Sequence, residues 1–264
     1  LIKHTGLKGN RATPLAKANL QECRETVMPA VLLELGFMDS ATDVPIILTD
    51  DYATKCANAI VEVIVAKGGL AKKVIETREF NIYTGYLEGE KVSVCSTGIG
   101  GPSAAIALEE LANIGGDTFI RVGTATGMDL DILAGSIVIA TGAIRRDGTS
   151  KEYMPLDFPA VANFDVTLAL INSAKEKKAK FKTGIVHCKD SFYGQKSAER
   201  MPIRNSLVSD WSAYIDGGAL CSEMESATLF IVGSYRKVRV GSVIAIASNQ
   251  EREKQGLKSK RNDD

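Results

Sequence analysis

Residues 91–124 read KVSVCSTGIGGPSAAIALEELANIGGDTFIRVGT, and the reading of this stretch decides the fold. An apolar run, Val92 to Cys95, leads into Ser96-Thr97-Gly98-Ile99-Gly100-Gly101-Pro102-Ser103. An alanine-rich amphipathic run follows from Ala104 to Ile114, then Gly115-Gly116, then a second apolar run from Thr118 to Val122. The order strand, glycine turn, helix, glycine, strand predicts a βαβ unit, with Ser103 placed to cap the helix. Gly98, Gly100 and Gly101 let backbone approach a ligand closely, and the N–H groups at a helix start favour an anion. Arg121 falls at the end of the second predicted strand, with Gly123 and Thr124 directly behind it. Ligands of open α/β sheets bind at the carboxyl ends of strands, so the turn, Arg121 and Thr124 form a candidate anion site. A tight turn followed by a surface arginine fits the same residues equally well.

Composition narrows the classes. A chain of 264 residues holds one large α/β domain or two small ones. Its 32 basic residues balance its 32 acidic ones, which points away from a nucleic-acid surface or an acidic-membrane patch. Five scattered cysteines (Cys23, Cys56, Cys95, Cys188, Cys221) lie mostly in apolar runs and read as reduced core residues of a cytoplasmic protein. Two histidines, His4 and His187, are too few for a histidine-rich metal site. The apolar run from Ile60 to Ala66 carries Glu62 and is too short to span a bilayer, and no signal peptide is expected ahead of it.

Outward from the central stretch, Val74 to Phe80 and Tyr83 to Leu87 are predicted strands, with Glu88-Gly89-Glu90 as the hairpin turn before Lys91. Further predicted strands are Ser136 to Thr141, Gly184 to Cys188 and Gly241 to Ala247. Predicted helices cover Asp165 to Lys175, the region of Trp211 and Tyr214, and a run starting in Leu220–Ala227 and ending near Tyr235. Arg145 to Phe158 is expected to be a long polar connection, Lys175 to Lys178 a solvated charge run, and the residues after Ala247 a hydrophilic, frayed tail. At the other end, Leu1 to Lys17 reads as an irregular lead-in, Asn19 to Cys23 as an edge strand and Pro29 to Phe37 as a buried strand. Asp51 to Lys67 reads as a helix closed by Gly68-Gly69. Glu34 inside the apolar strand is costly unless paired, which marks it as functional or end-exposed.

The segment Leu20 to Met38, with its core RETVMPAVLLELGFM, resembles the C-terminal portion of zinc-dependent N-acetylmuramoyl-L-alanine amidases. The resemblance makes Glu34 the glutamate that assists a zinc-bound water. That family's zinc-binding histidines and first glutamate fall upstream of residue 1, and His4 stands where the family places no ligand. Without ligands no Lewis acid lowers the water's pKa, so amidase activity is not expected.

The remainder resembles the nucleoside phosphorylase family, its uridine phosphorylases in particular. The elements that carry the resemblance are TREFNIYTG (Thr77 to Gly85), CSTGIGGPS (Cys95 to Ser103), FIRVGTATG (Phe119 to Gly127), KDSFYGQ (Lys189 to Gln195) and EMESA (Glu223 to Ala227). The resemblance implies a three-layer α/β/α sandwich on a mixed sheet, and phosphorolysis of uridine to uracil and ribose 1-phosphate. It implies phosphate as co-substrate, no further cofactor, no metal, no nucleic-acid or membrane partner, and a homo-oligomer, either a dimer or a hexamer of dimers. Arg121 and Thr124 match the phosphate ligands, with Thr97 and Gly98 in the turn beside them, and Arg78 matches an arginine lent by a neighbouring subunit. Glu225 matches the carboxylate that binds the ribose hydroxyls and stabilises developing oxocarbenium charge. Glu223 and Met224, of the same element, are substrate-binding candidates like Thr97 and Gly98, Met224 packing under the sugar. Phe192 stacks on the base and the Gln195 amide reads the uracil edge. Taken singly, Met224 and Phe192 are ordinary core residues and Glu225 a helix N-terminal acid.

The chain also departs from that pattern. Leu32 to Asp39 stands where the family's Gly-Asp-Pro phosphate loop is expected, Ser197 stands where an arginine often follows the glutamine, and the closing C-terminal helix is missing or truncated. Residues 1–71 are thus an amidase-like strand–helix segment and residues 72–264 a phosphorylase-like region, and the first is expected to complete the sheet of the second in one merged, chimeric domain. Glu34 would then repel phosphate by like charge. Three readings compete: a nucleoside phosphorylase with activity weakened or lost through that loop, a catalytically silent scaffold, and a cell-wall amidase fragment.

Overall fold

The structure, a computed structural model, describes residues 29–33, 71–77, 80–87 and 90–258. Its elements, in chain order, are β1 (Pro29–Leu33), β2 (Ala71–Thr77), β3 (Phe80–Leu87), β4 (Glu90–Ser96), α1 (Gly101–Asn113), β5 (Thr118–Gly127), β6 (Ile137–Arg146), α2 (Thr149–Tyr153) and β7 (Ala160–Val161). They continue with α3 (Phe164–Glu176), β8 (Phe181–Lys189), α4 (Phe192–Lys196), α5 (Arg204–Asp216), β9 (Cys221–Glu223), α6 (Ser226–Arg236), β10 (Arg239–Asn249) and α7 (Gln250–Lys254). The predicted strands at 19–23 and 34–37, the helix at 51–67, the turn residues Glu88 and Gly89, and Cys23 and Cys56 lie outside the described residues.

β5 is the strand from which the mixed sheet is built. One edge pairs with β10, parallel, along the whole strand from Thr118 to Gly127. The other edge is divided. β1 runs parallel to its first half, ending with Leu33 opposite Val122, and β9 meets it antiparallel at Thr126 and Gly127. Because β10 also pairs with β6, β6 with β8 and β8 with β9, five strands close on themselves into a ring. From the β1 side the sheet extends outward through β4, β3 and β2. The stretch 91–124 is a parallel crossover as its sequence predicts, but β1 lies between its two strands.

Alternation along β5 and β6 sends side chains to two layers. Phe119, Val138 and Ala140 join the core beneath α1 and α6, whereas Ile120 and Ile139 pack with Val166, Leu170 and Ala174 of α3. The result is helix, sheet, helix. α6 is buried from Ser226 to Gly233, so its apolar run faces protein on every side. Each fully buried Leu, Ile or Phe of these layers contributes about 1.5–3 kcal/mol by leaving water. Asn163 caps α3 by accepting from the Val166 N–H at 3.1 Å.

Several local expectations are corrected. Ser103 is not the cap of α1: Gly100 holds that position at φ 102°, and Ser103 sits inside the helix, its hydroxyl donating to the Thr97 carbonyl. β5 does not stop at Arg121 but runs six residues further, because β10 continues to pair with it. Residues 221–223, read as the start of a helix, are strand β9, and α6 begins at Ser226. The polar connection after β6 is ordered around Arg145, whose guanidinium donates to the carbonyls of Ser150, Met154, Pro155 and Phe158 and to the Ser150 hydroxyl. The residues after β10 are not frayed at once. α7 is capped by the Asn249 side chain, and the Trp211 indole donates to Glu251 at 2.6 Å.

Candidate active site

Between the end of β1 at Val122 and the start of β9 at Thr126, no strand among the described residues pairs with 123–125 along that edge of β5. A division of this kind is where open α/β sheets place ligands. Three segments converge on it: the Gly98–Gly100 turn after β4, Arg121 from within β5, and the link from β9 to α6.

Arg121 is 2% exposed, which removes the surface-arginine reading. Its Nη2 lies 2.5 Å from Glu225 Oε2 and 3.2 Å from Glu223 Oε2. Gly123, two residues on and therefore on the same face, makes room for it. A Cβ at that position would stand 2.4 Å from Arg121 Nη1, so only glycine lets the guanidinium fold along the strand. Taking three charges out of water is costly, and only close, hydrogen-bonded geometry offsets that cost.

The two glutamates do different work. Glu223 Oε2 accepts from the backbone N–H of Glu225 at 3.0 Å and of Ser226 at 2.9 Å, and from the Ser226 hydroxyl at 3.0 Å. It therefore caps the start of α6 while holding Arg121, and a carboxylate is favoured there by the helix dipole. Glu225 Oε1 accepts from the Gly100 N–H at 2.5 Å and its Oε2 from Arg121. The carboxylate thus joins the glycine turn to the arginine. Gly98 and Gly100 have φ of 64° and 102°, a left-handed region that side chains rarely adopt. The N-termini of α1 and α6 meet here because Gly101 has no side chain; a Cβ there would stand 2.4 Å from Thr228 Oγ1. Lys189, buried at the end of β8, donates to the backbone carbonyl of Glu223 at 3.3 Å, which brings a second cation to the end of β9.

At the other side lies a neutral set. Ser222 Oγ donates to Gln195 Oε1 at 2.6 Å and stands 2.9 Å from His187 Nδ1. Gln195 Nε2 donates to Gln250 Oε1 at 2.8 Å. Burial, then the nearby charges of Lys189 and Arg146, push the His187 imidazole down to about 3, so it is neutral at ordinary pH. Phe192 and Met224 are half-buried nearby in sequence, Phe192 edge-on to Tyr193 at 5.4 Å. Burial alone raises the Cys95 thiol to about 12, and the buried Cys188 and Cys221 thiols are raised as well, so none is a nucleophile at neutral pH.

Comparison with known sequences gives the family. The profile of the phosphorylase superfamily matches residues 58–263. A uridine phosphorylase of Treponema pallidum is 55% identical over 185 residues, covering 70% of this chain and 72% of that protein. One from Haemophilus influenzae is 42% identical over 180 residues, 66% of this chain and 70% of its own. A guanosine phosphorylase of Halorubrum lacusprofundi is 35% identical over 176 residues, 67% of this chain and 68% of its own.

The chain belongs to the phosphorylase superfamily.

A second profile, that of N-acetylmuramoyl-L-alanine amidase, matches residues 2–66, overlapping the phosphorylase match at residues 58–66. Of that span only 29–33 is described, where β1 pairs between two phosphorylase strands. Glu34, His4 and Arg78 lie outside the described residues. Of the remaining sequence-nominated site residues, Arg121, Glu223 and Glu225 form one hydrogen-bonded cluster against the turn that holds Thr97 and Gly98. Thr124 stands on β5 in register with Ala245 of β10, next to Gly123. Gln195 belongs to the neutral set. Sequence reading assigned no role to Lys189, His187, Ser222 or Gln250. Lys189 opens the KDSFYGQ element and Ser222 directly precedes EMESA, and those positions are the available signal; nothing in the sequence ties His187 or Gln250 to them. Among the described residues no helix is long and apolar enough to cross a membrane.

Proposed function

We propose that this phosphorylase-superfamily chain carries out phosphorolysis of a nucleoside, with uridine as substrate. A phosphate oxygen bonds to C1′ as the C1′–N1 bond breaks, the electron pair leaves with the base, and the products are ribose 1-phosphate and uracil after proton uptake. The carrying observation is the Glu225 carboxylate held between Arg121 Nη2 and the Gly100 N–H at the divided edge of β5. Arg121, Thr124, Thr97 and Gly98 bind phosphate; Glu225 takes the ribose hydroxyls and stabilises positive charge at C1′. Glu223 orients Arg121, Met224 packs under the sugar, Phe192 stacks on the base and Gln195 reads its edge. Uridine is preferred here to a purine nucleoside because the more similar relatives are uridine phosphorylases, whereas the guanosine enzyme is more distant.

The reaction needs phosphate and no further cofactor. Arg78 serves a neighbouring subunit's site, so the active form is a homo-oligomer, a dimer or a hexamer of dimers. The amidase-like segment forms one domain with the phosphorylase part, a chimera in which β1 supplies a central strand. Buried, unpaired Cys95, Cys188 and Cys221 suit a reducing cytoplasm. The test is a spectrophotometric assay of uracil release. Release that requires phosphate and falls about a hundredfold to a thousandfold in Glu225→Gln is expected. A folded protein that binds neither phosphate nor uridine would instead be a silent scaffold.

A further inference from the structure

The neutral set around Gln195 has a fixed hydrogen-bond polarity, and that polarity can be followed from one backbone atom. The Gln195 carbonyl only accepts, so the Gln250 side-chain group 3.3 Å away is its Nε2 amide. Gln250 Oε1 therefore faces Gln195, and the group that reaches it at 2.8 Å must be the Gln195 amide nitrogen. Gln195 Oε1 is then turned to Ser222, whose hydroxyl donates at 2.6 Å. With its only proton committed, Ser222 Oγ accepts from His187 across 2.9 Å, so the neutral imidazole carries its proton on Nδ1. Gln250 is itself anchored, its backbone N–H donating to Thr126 Oγ1 at 3.2 Å. His187 is held by its neighbours on α5, the Tyr214 ring at 5.0 Å and the Trp211 ring at 6.0 Å between centroids.

We infer that His187 and Ser222 are positioning residues that lock the Gln195 amide in one of its two flip states, and that this lock makes the site select uracil over cytosine. The inference rests on the proposed phosphorolysis, with Gln195 as reader of the base. Each end of the amide keeps one bonding capacity for a ligand: a lone pair on Oε1 and a hydrogen on Nε2. That acceptor–donor pair matches the N3–H and adjacent carbonyl of uracil. Cytosine offers a bare N3 and an amino group, the reverse pattern, and would be matched by the flipped amide. Flipping in place would take away the acceptor of the Ser222 proton and set Gln195 Oε1 against Gln250 Oε1, leaving polar groups unmatched, which is how a site rejects an analogue.

Two measurements test this on the full-length protein. Neutron diffraction from deuterium-exchanged crystals is expected to show deuterium on His187 Nδ1 and the two amide deuterons of Gln195 on the Gln250 side. Deuterium on His187 Nε2 alone, or the reversed amide, overturns the lock whatever the protein does to nucleosides. The second compares kcat/KM for uridine with that for cytidine. Ser222→Ala and His187→Phe are expected to lower the uridine-to-cytidine ratio about tenfold, and Ser222→Thr, which keeps the hydroxyl, to restore it. A ratio unchanged in folded Ser222→Ala, with both substrates slowed equally, would reduce these residues to structural support. If the parent protein cleaves neither nucleoside, phosphorolysis and the selectivity claim fail together, while the diffraction result still decides the lock.

Discussion

Around Arg121 the buried side chains are charged and clustered, whereas around Gln195 they are neutral and strung in a line. The two sets meet at β9, where Ser222 belongs to one and Glu223 to the other. The charged cluster derives its strength from proximity: one guanidinium nitrogen serves two carboxylates, and two helix N-termini reinforce them. The neutral chain derives its value from direction, since each member is a donor only because the next is an acceptor. Rate enhancement at a reaction that develops charge calls for the first kind of construction, and discrimination between bases of similar size calls for the second. The two sets should therefore fail differently when cut.

The largest effect is expected at the centre of the charged cluster. Arg121→Ala leaves Glu223 and Glu225 buried without their shared cation, which costs about 3–5 kcal/mol of stability. Phosphate-dependent uracil release should fall about a thousandfold or more, since the proposed reaction asks the same group to hold the attacking dianion. Denaturant titration and the release assay together check this. A variant with full stability and lost activity would mean that the arginine serves the ligand alone.

Next in size is Gly123→Ala. Its added methyl would meet Arg121 Nη1 at 2.4 Å, so the guanidinium must shift while every charge is retained. Overpacking of this sort costs about 1–3 kcal/mol. Displacing a positioned group by about 1 Å should lower kcat/KM about tenfold to a hundredfold. The neutral chain, whose hydrogen bonds run among His187, Ser222, Gln195 and Gln250, should be untouched, so the uridine-to-cytidine ratio is expected to stay constant. A changed ratio would join the two sets that the comparison separates.

Much of the charged half was legible in the sequence and little of the neutral half. Glycines at 98, 100, 101 and 123 around an arginine mark close backbone approach, and an acidic EMESA element at a helix start marks an N-terminal carboxylate; both signals are local. Ser103 misled because serine near a helix start usually caps, whereas here the left-handed Gly100 takes that position and Ser103 falls inside the helix. β5 looked short because its pairing beyond Arg121 comes from β10, more than a hundred residues away. β9 looked helical because three residues flanking a strong helix carry no periodicity of their own. Gln195, Ser222, Gln250 and His187 are spread over 64 positions in the chain, and only the closing of the strand ring brings them together. Polar residues so dispersed have no spacing to read.

The smallest effect probes the neutral set through pH. His187 titrates near 6.5 when exposed and near 3 in the fold, where burial and then Lys189 and Arg146 oppose its charge. Its folded value is the lower one, so below about pH 6.5 the unfolded chain binds a proton that the native chain refuses. Stability from this residue is therefore fully present above about pH 6.5 and declines as pH falls towards 3. Between about pH 7 and pH 5.5 the loss should be about 1 kcal/mol. Other groups titrate in the same range, which is why the measurement is a difference: thermal midpoints of the parent and His187→Phe across that window. The parent curve should fall more steeply, because phenylalanine keeps the stacking with Tyr214 and Trp211 but has no proton to take up. Parallel curves would mean that the imidazole can gain its charge inside the fold, and a histidine able to do that is too loosely held to set the polarity of its neighbours.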